Sequence, residues 1–239
     1  MLKINAENLN FDELNEKVRS AKEDIEISDC LGQRFIGAGL SDKNLTIKGT
    51  PGNALGAYLN GSTINVFGNA QDAVGDTMND GKIIIHGNIG DAAGYAMRGG
   101  KIFVKDNAGY RAGIHMKAYK EKIPALIIGG SAGSFLGEYQ AGGVIIVLGL
   151  KTDKSIVGNF PCTGMHGGKM ILRSNCKGVT FPKNVRVSQA EKEDLDDIYP
   201  YVKEFCDCFS FDANEILNAE FTVITPDSNN PYKQMYVGN

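Results

Sequence analysis

The chain has 239 residues, which suits one domain or one elongated unit. Its net charge of −3 argues against the polybasic surface of a protein that binds nucleic acid or an anionic membrane. No segment approaches the roughly 18 apolar residues of a membrane span, and the first residues lack a signal-peptide pattern. The five cysteines lack C-x-x-C spacing, which indicates reduced thiols. We therefore expect a cytoplasmic protein.

The N-terminal region, residues 1–51, is predicted to close one end of a larger structure. A helix is expected over residues 10–22, because Asn10 and Glu13 form a capping-box pattern. Three extended segments then predict one or two irregular opening coils: residues 25–27, 35–39 and 45–48.

Residues 52–187 repeat one motif. Glycine and asparagine recur at an interval of 19 residues as far as Gly113, and a period near 20 is typical of a solenoid. The positions assigned to the repeat are Gly56, Gly75, Gly94, Gly113, Gly137, Gly158, Asn69, Asn88 and Asn107.

Each repeat contains one short strand, as in Lys82–His86, in which the second and fourth residues are apolar. This alternation indicates one buried and one outward face. Glycines flank the strands, and no helical pattern joins them. The sequence therefore predicts an all-β fold: a single-stranded, right-handed parallel β-helix of about seven coils, with short helical N- and C-terminal caps. Stacking would align the asparagines in one ladder and Leu59, Met78, Met97 and Met116 in another.

The period lengthens at two places. The interval is 24 residues from Gly113 to Gly137 and 21 from Gly137 to Gly158. Insertions in a solenoid leave the coil as loops, here predicted near residues 117–122 and 151–154. We expect partner contacts at these loops.

The predicted strand at residues 144–148 is apolar on its outward face as well, at Val144, Ile146 and Leu148. Two interpretations fit this outward row. It forms an interface with another chain, or the C-terminal segment covers it.

Residues 188–239 are predicted as a C-terminal helical cap followed by an extended arm toward another subunit. Ser188 and Glu191 form a capping-box pattern for a helix that Pro200 interrupts or restarts. Asp212 is expected to open a second short helix, and residues 221–239 to be extended.

No set of residues in the sequence predicts catalysis. Ser131 lies in a G-x-S-x-G match typical of esterases, but that motif requires a strand–turn–helix context and downstream partners. Ser131 also occupies the row that holds asparagine elsewhere, so an esterase is the minor alternative. His86, His115 and His166 have no acid or cysteine at ligand spacing, and no metal site is assigned.

Polar and aromatic residues that interrupt the repeat are predicted to line one side of the rod. The alternative is an ordinary solvated edge. Together with the outward row, the candidates for a partner interface are Arg111, His115, Lys117, Tyr119, Glu138, Tyr139, Val144, Ile146, Leu148 and His166.

Four segments carry a family resemblance: Gly109–Lys117, Phe135–Tyr139, Gly142–Gly149 and Gly164–Gly168. With the glycine repeat, they resemble the C-terminal GXGXG domain of the glutamate synthase large subunit. The stand-alone form of that domain is the nearer match. The β-helix subunit of formylmethanofuran dehydrogenase belongs to a sister family with the same coil.

This resemblance implies a domain without catalytic residues or cofactors of its own. In glutamate synthase the domain is a rigid spacer beside the amidotransferase and synthase domains, and it helps to fix the path of ammonia. FMN and the iron–sulfur cluster are then expected on partner chains. The predicted function is a structural subunit of a glutamate-synthase-like complex, with the other synthase subunits, or a second copy of the chain, as partners. The alternative is a β-helix subunit of another redox complex, such as formylmethanofuran dehydrogenase.

Overall fold

The computed structural model of the protein describes residues 1–152 and 155–227. Within them, eleven strands form one sheet and three helices lie outside it. In chain order the elements are β1 (Leu2–Asn5), α1 (Phe11–Ser20), β2 (Ile25–Leu31), β3 (Leu45–Thr50), β4 (Asn60–Phe67), β5 (Asp80–Ile85), β6 (Lys101–Val104), β7 (Ala125–Ile128), β8 (Ala141–Val147), β9 (Gly167–Leu172), β10 (Val185–Gln189), α2 (Lys192–Phe209), α3 (Ala213–Leu217) and β11 (Thr222–Pro226).

Strands β1 to β9 pair in chain order, and each is parallel to the next. Parallel pairing of consecutive strands without crossover helices from β2 onward is the arrangement of a β-helix. The solenoid has about eight turns, which confirms the prediction of about seven coils. Pairing runs unbroken from β3 into β4, across the predicted boundary at residue 51, and the boundary at residue 187 falls inside β10.

The interior of the solenoid is a continuous apolar core. The predicted ladder of Leu59, Met78, Met97 and Met116 is completely buried. Gly113 lies at a corner with φ of +71°, and a Cβ atom there would lie 2.4 Å from Cδ1 of Ile145. A side chain at this corner would therefore collide with the core as well as strain the backbone.

Gly158 was assigned to the wrong row. The row of Gly113 and Gly137 continues at Cys162, whose φ is +60° and whose amide donates to Leu136. The amide of Gly158 instead donates to the carbonyl of Ala132 in the preceding coil. The cause is the second insertion, which lengthens the coil to 25 residues, as the pairing of Val144 with Lys169 shows.

The predicted asparagine ladder is present on the outside of a corner. Asn69 Oδ1 accepts the backbone N–H of Asn88 at 2.8 Å, and Asn88 Oδ1 accepts that of Asn107 at 3.1 Å. Ser131 continues the same row: Asn107 Oδ1 accepts its backbone N–H at 2.8 Å and its hydroxyl at 2.9 Å. The ladder satisfies backbone donors that the corner leaves without sheet partners.

The N-terminal helix forms as predicted. Asn10 caps α1, and the capping box with Glu13 is complete. Leu14 and Val18 are buried against the first coils. The helix thereby covers apolar residues at the start of the solenoid, as an end cap does.

The C-terminal region differs from the prediction in three respects. Ser188 is not a helix cap, because it pairs with Val223 in the antiparallel ladder of β10 and β11. The cap of α2 is Glu191, and Pro200 lies inside a continuous helix. Strand β11 pairs antiparallel with β9, so the β10–β11 pair, rather than α2, lies next to the last coil. Asp212 caps α3 as predicted, and residues 228–239 of the predicted arm lie outside the described residues.

Helix α2 packs on the outward face of the sheet and forms a second apolar core there. Ile146 and Leu148 are completely buried in this core with Val202 and Phe205 of α2, and Val144 packs against it. The outward row is therefore covered by the C-terminal segment, and its assignment as a partner interface was wrong. The 19-residue repeat alone does not indicate that a helix far along the chain packs over this outward row.

Three lysines of the outward face anchor α2. Glu204 forms ion pairs with Lys82 and Lys101, and Lys169 Nζ lies 3.1 Å from oxygens of Asp194 and Asp197. Burial acts to raise the pKa of Glu204, but the bonds from Lys101 and Lys82 outweigh it and hold the pKa below its ordinary value. This contact between charged groups orients the helix over the sheet.

Candidate partner-binding surface

An aromatic column runs along one corner of the solenoid. His115 stacks on Tyr139 with ring centres 5.2 Å apart and planes 9° apart, and Tyr95 meets His115 edge-on at 5.9 Å. The ring of Tyr139 lies over Gly164, where a Cβ atom would come within 2.4 Å of it. The coil register places these residues at successive corners, where φ of His115 and Tyr139 is positive. Their side chains are thus held rigidly while remaining exposed.

A second row lies beside the column. Arg111 Nε donates to Glu138 Oε2 at 3.0 Å, and the guanidinium carbon lies 5.1 Å from the ring centre of Phe135. The ring of Phe160 in the next coil is 5.3 Å from that of Phe135, and Phe160 is 62% exposed. Together these seven residues form what we call the corner surface: Tyr95, Arg111, His115, Phe135, Glu138, Tyr139 and Phe160.

The first insertion forms a tight turn near the corner surface, at the position where the sequence predicts a loop. Backbone N–H groups of Tyr119 and Lys122 each donate to the other residue's carbonyl, at 3.1 and 3.0 Å. Lys122 Nζ lies 2.7 Å from Asp80 Oδ2, and this bond holds the pKa of Asp80 below its ordinary value. Lys117 and Tyr119 are exposed at the base of the turn. The second predicted loop, residues 151–154, lies partly outside the described residues.

Arg111, His115, Glu138 and Tyr139 are therefore brought together, as the sequence predicted. His166 lies two residues beyond Gly164, and its Nδ1 atom is 2.9 Å from the carbonyl oxygen of Gly164. Sequence reasoning missed Tyr95, Phe135 and Phe160. The sequence does contain a signal for them. When the coils are aligned without the two insertions, Phe135 and Phe160 fall in the row of Arg111, and Tyr95 falls in the row of Glu138.

Ser131 is not placed for ester hydrolysis. Its hydroxyl donates to the side-chain amide oxygen of Asn107, a group that does not act as a general base. The motif around it belongs to a corner of the coil, without the helix that a nucleophile elbow requires.

The cysteines are unreactive thiols. All five are free, and four are buried. Burial raises the pKa of Cys30 to about 11 and that of Cys162 to about 12, so neither ionises near neutral pH. Cys206 and Cys208 belong to the packing of α2, as predicted.

Neither a metal centre nor a membrane span is found in the part of the chain that the structure describes. These residues contain no group of three or more His, Cys, Asp or Glu side chains arranged to hold a metal ion. None of their helices has the length and apolar character needed to cross a membrane.

Comparison with known proteins places these features in a family. The sequence model described as the GXGXG motif matches residues 13–227. An uncharacterised protein of Methanocaldococcus jannaschii is 42% identical over 248 residues, covering 98% of this chain and 95% of the relative.

The fold is similar to that of a solved structure from a multi-subunit complex. It is a chain of the formyltransferase/hydrolase complex FhcABCD from Methylorubrum extorquens in complex with methylofuran, with a TM-score of 0.62 and 18% identity. The match covers 92% of this chain and 88% of that chain. The GXGXG model and the Methanocaldococcus jannaschii relative each match almost the whole β-helix with its caps. This chain therefore belongs to the GXGXG motif family.

Proposed function

We propose that this protein is a non-catalytic structural subunit of a glutamate-synthase-like complex, and that the corner surface contacts a catalytic partner chain. In this assignment the amidotransferase, the FMN and the iron–sulfur cluster belong to partner chains. The β-helix holds those chains at a fixed distance, as the resemblance to the glutamate synthase domain implies.

The corner surface is the observation that carries the proposal. Aromatic and arginine side chains are enriched where proteins bind one another, and here they are ordered by contacts within the chain. The stack of His115 on Tyr139 and the ion pair of Arg111 with Glu138 fix their rotamers. Rigid side chains lose little conformational entropy on binding, which favours a docking role.

A second candidate follows from the structural similarity to FhcABCD, which is a complex of several subunits. In this alternative the protein is the β-helix subunit of a complex of the formyltransferase/hydrolase or formylmethanofuran dehydrogenase type. The fold and the corner surface serve either assembly, so the identity of the partner chains decides between them.

Purification of the tagged protein from extract of its native cells tests the proposal. We expect an amidotransferase chain and a flavoprotein in stoichiometric amounts, with the absorbance of FMN. Recovery of formyltransferase or hydrolase chains would support the second candidate. Recovery of the protein alone would contradict both.

Variants locate the contact. Replacement of Phe160 or Tyr139 by serine is expected to release the partner chains while leaving the fold intact, because both side chains are exposed. Leu31→Ser is the matched control, since Leu31 is 82% exposed and lies outside the corner surface. Equal retention of partners by all three variants would exclude the corner surface as the contact.

A further inference from the structure

Strand β10 is the last strand of the sheet, and one of its edges pairs with no other described strand. Hydrogen bonds with the β11 side run from Ala190 N–H to Phe221 and from Asp227 N–H to the Asn184 carbonyl. Backbone groups alternate between the two edges of a strand. Even-numbered residues of β10 therefore face β11, and Val187 and Gln189 direct their N–H and C=O groups outward. Val185 directs its C=O group outward, while its N–H donates to the carbonyl of Pro182 at 3.4 Å.

The opposite edge of the sheet is protected in a way that β10 is not. Strand β1 has four residues, and its outward-directed positions are Lys3 and Asn5. Lys3 is charged, and the Asn5 side chain bonds Asp29 and the amide of Glu7. Lysine and short length are the usual devices that prevent edge pairing.

Strand β10 is less protected: its one charged residue is Arg186, whose Nε atom is bonded to Asp227 Oδ1. It has five residues without proline, lysine or a bulge, and its register with β11 is regular. Val187 is 46% exposed, and Arg186, Ser188 and Gln189 are exposed as well. A regular, exposed edge strand of this kind readily pairs with another strand.

The sequence of β10 is complementary to itself in an antiparallel arrangement. With Val187 opposite Val187 of a second copy, Val185 lies opposite Gln189 of that copy and Gln189 opposite Val185. The Val187 pair exchanges two hydrogen bonds. Each Val185–Gln189 pair adds one, with the Gln189 N–H as donor, because the Val185 N–H is already bonded to Pro182, so the total is about four.

Charge selects this register among its neighbours. Arg186 lies opposite Ser188 of the second copy, and its Nε atom is already bonded to Asp227 Oδ1 at 2.6 Å. A shift that centred the pairing on Arg186 would oppose two arginines directly, which is unfavourable. A shift centred on Ser188 would place Val185 opposite Glu191 of the second copy, beyond the end of β10.

We infer that the protein forms a two-fold symmetric dimer through antiparallel pairing of β10 with β10 of a second copy, centred on Val187. The two sheets then become one continuous sheet. A pair of five-residue strands buries less area than a standard interface, so the dimer is concentration-dependent.

Sedimentation of the full chain over a dilution series tests this inference. We expect a monomer–dimer equilibrium for the wild type and at least about tenfold weaker association for Val187→Pro. Proline removes only an outward-directed N–H, which an edge position tolerates, so the β10–β11 ladder remains. Val187→Thr is the control: it keeps the N–H and the branched side chain, and it should associate like the wild type.

Two charge variants test the register independently of any proline effect on folding. Ser188→Lys places a lysine opposite Arg186 of the second copy and should weaken the dimer, whereas Ser188→Asp should strengthen it. A chain ending at Asp227 should still dimerise, which separates β10 pairing from a contact made by residues 228–239.

Three results would overturn the inference. They are a wild type that is monomeric at every concentration, changes in the same direction for Ser188→Lys and Ser188→Asp, and a monomeric chain ending at Asp227.

Discussion

Asn107 donates both its backbone N–H and its side-chain amide to the Oδ1 atom of Asn88, at 3.1 and 3.0 Å. The same contact joins Asn88 to Asn69 in the preceding coil. One side chain per coil thus serves a backbone donor in the next coil, and neighbouring coils are linked outside the sheet ladder.

Asn88→Ala should therefore lower the free energy of unfolding by about 1–2 kcal/mol, because Asn107 loses its acceptor and Asn69 Oδ1 loses one of its two donors. Urea titration measures this difference. Asn79→Ala is the matched control, since no described hydrogen bond involves the Asn79 side chain; it should change stability by less than about 0.5 kcal/mol. Equal losses in the two variants would show that the ladder contributes nothing specific.

Lys43, in the segment between β2 and β3, caps the C-terminal end of α1. Its Nζ atom lies 2.5 Å from the carbonyl oxygen of Ala21 and 3.3 Å from that of Val18, and its side chain is 4% exposed. We expect Lys43→Met to cost about 2–3 kcal/mol, because it leaves these buried carbonyls without a charged donor. Lys48→Met, at an exposed lysine of β3, should cost less than about 1 kcal/mol by the same thermal or chemical unfolding measurement.

Glu204 stabilises the packing of α2 in a pH-dependent way. Because its folded-state pKa lies below the ordinary value of 4.5, its contribution is present above that value and is lost as pH falls through the folded pKa. Glu204→Gln should cost about 1 kcal/mol at neutral pH and progressively less in acid. Asp196→Asn, on the exposed face of the same helix, should show no such pH-dependent difference. A cost for Glu204→Gln that stays constant from neutral to acidic pH would contradict this account.

Gln140 interrupts the buried methionine row. It is completely buried, its Nε2 atom donates to Gly142 and Gly143 at 3.2 Å, and its Oε1 atom has no partner among the described residues. Gln140→Met should leave stability unchanged or raise it by up to about 1 kcal/mol, because it removes an unsatisfied buried oxygen.

The reverse change, Met116→Gln one coil earlier, should cost about 2–4 kcal/mol, since it buries a new amide. Thermal unfolding of both variants measures the asymmetry. A large loss for Gln140→Met would instead assign the amide an essential structural role.

Local sequence determined the β-helix itself. A repeat of 19 residues with alternating apolar positions leaves room for one strand and glycine corners, and stacking follows because each coil must bury its inner face. The Asn69–Asn107 ladder and the cap at Asn10 follow from the same local patterns, since each depends on residues separated by a fixed, short interval.

Tertiary structure decided what lies on the outside of the coils. Ile146 and Leu148 are buried because α2, some 50 residues later in the chain, returns across them. Gly158 fell into the wrong row because an insertion shifts the register without changing the residue types. Ser188 became a strand residue because pairing with Val223 outweighed its helix-capping preference. A repeat specifies the contact between neighbouring coils, whereas cover by distant segments depends on packing that no local pattern encodes.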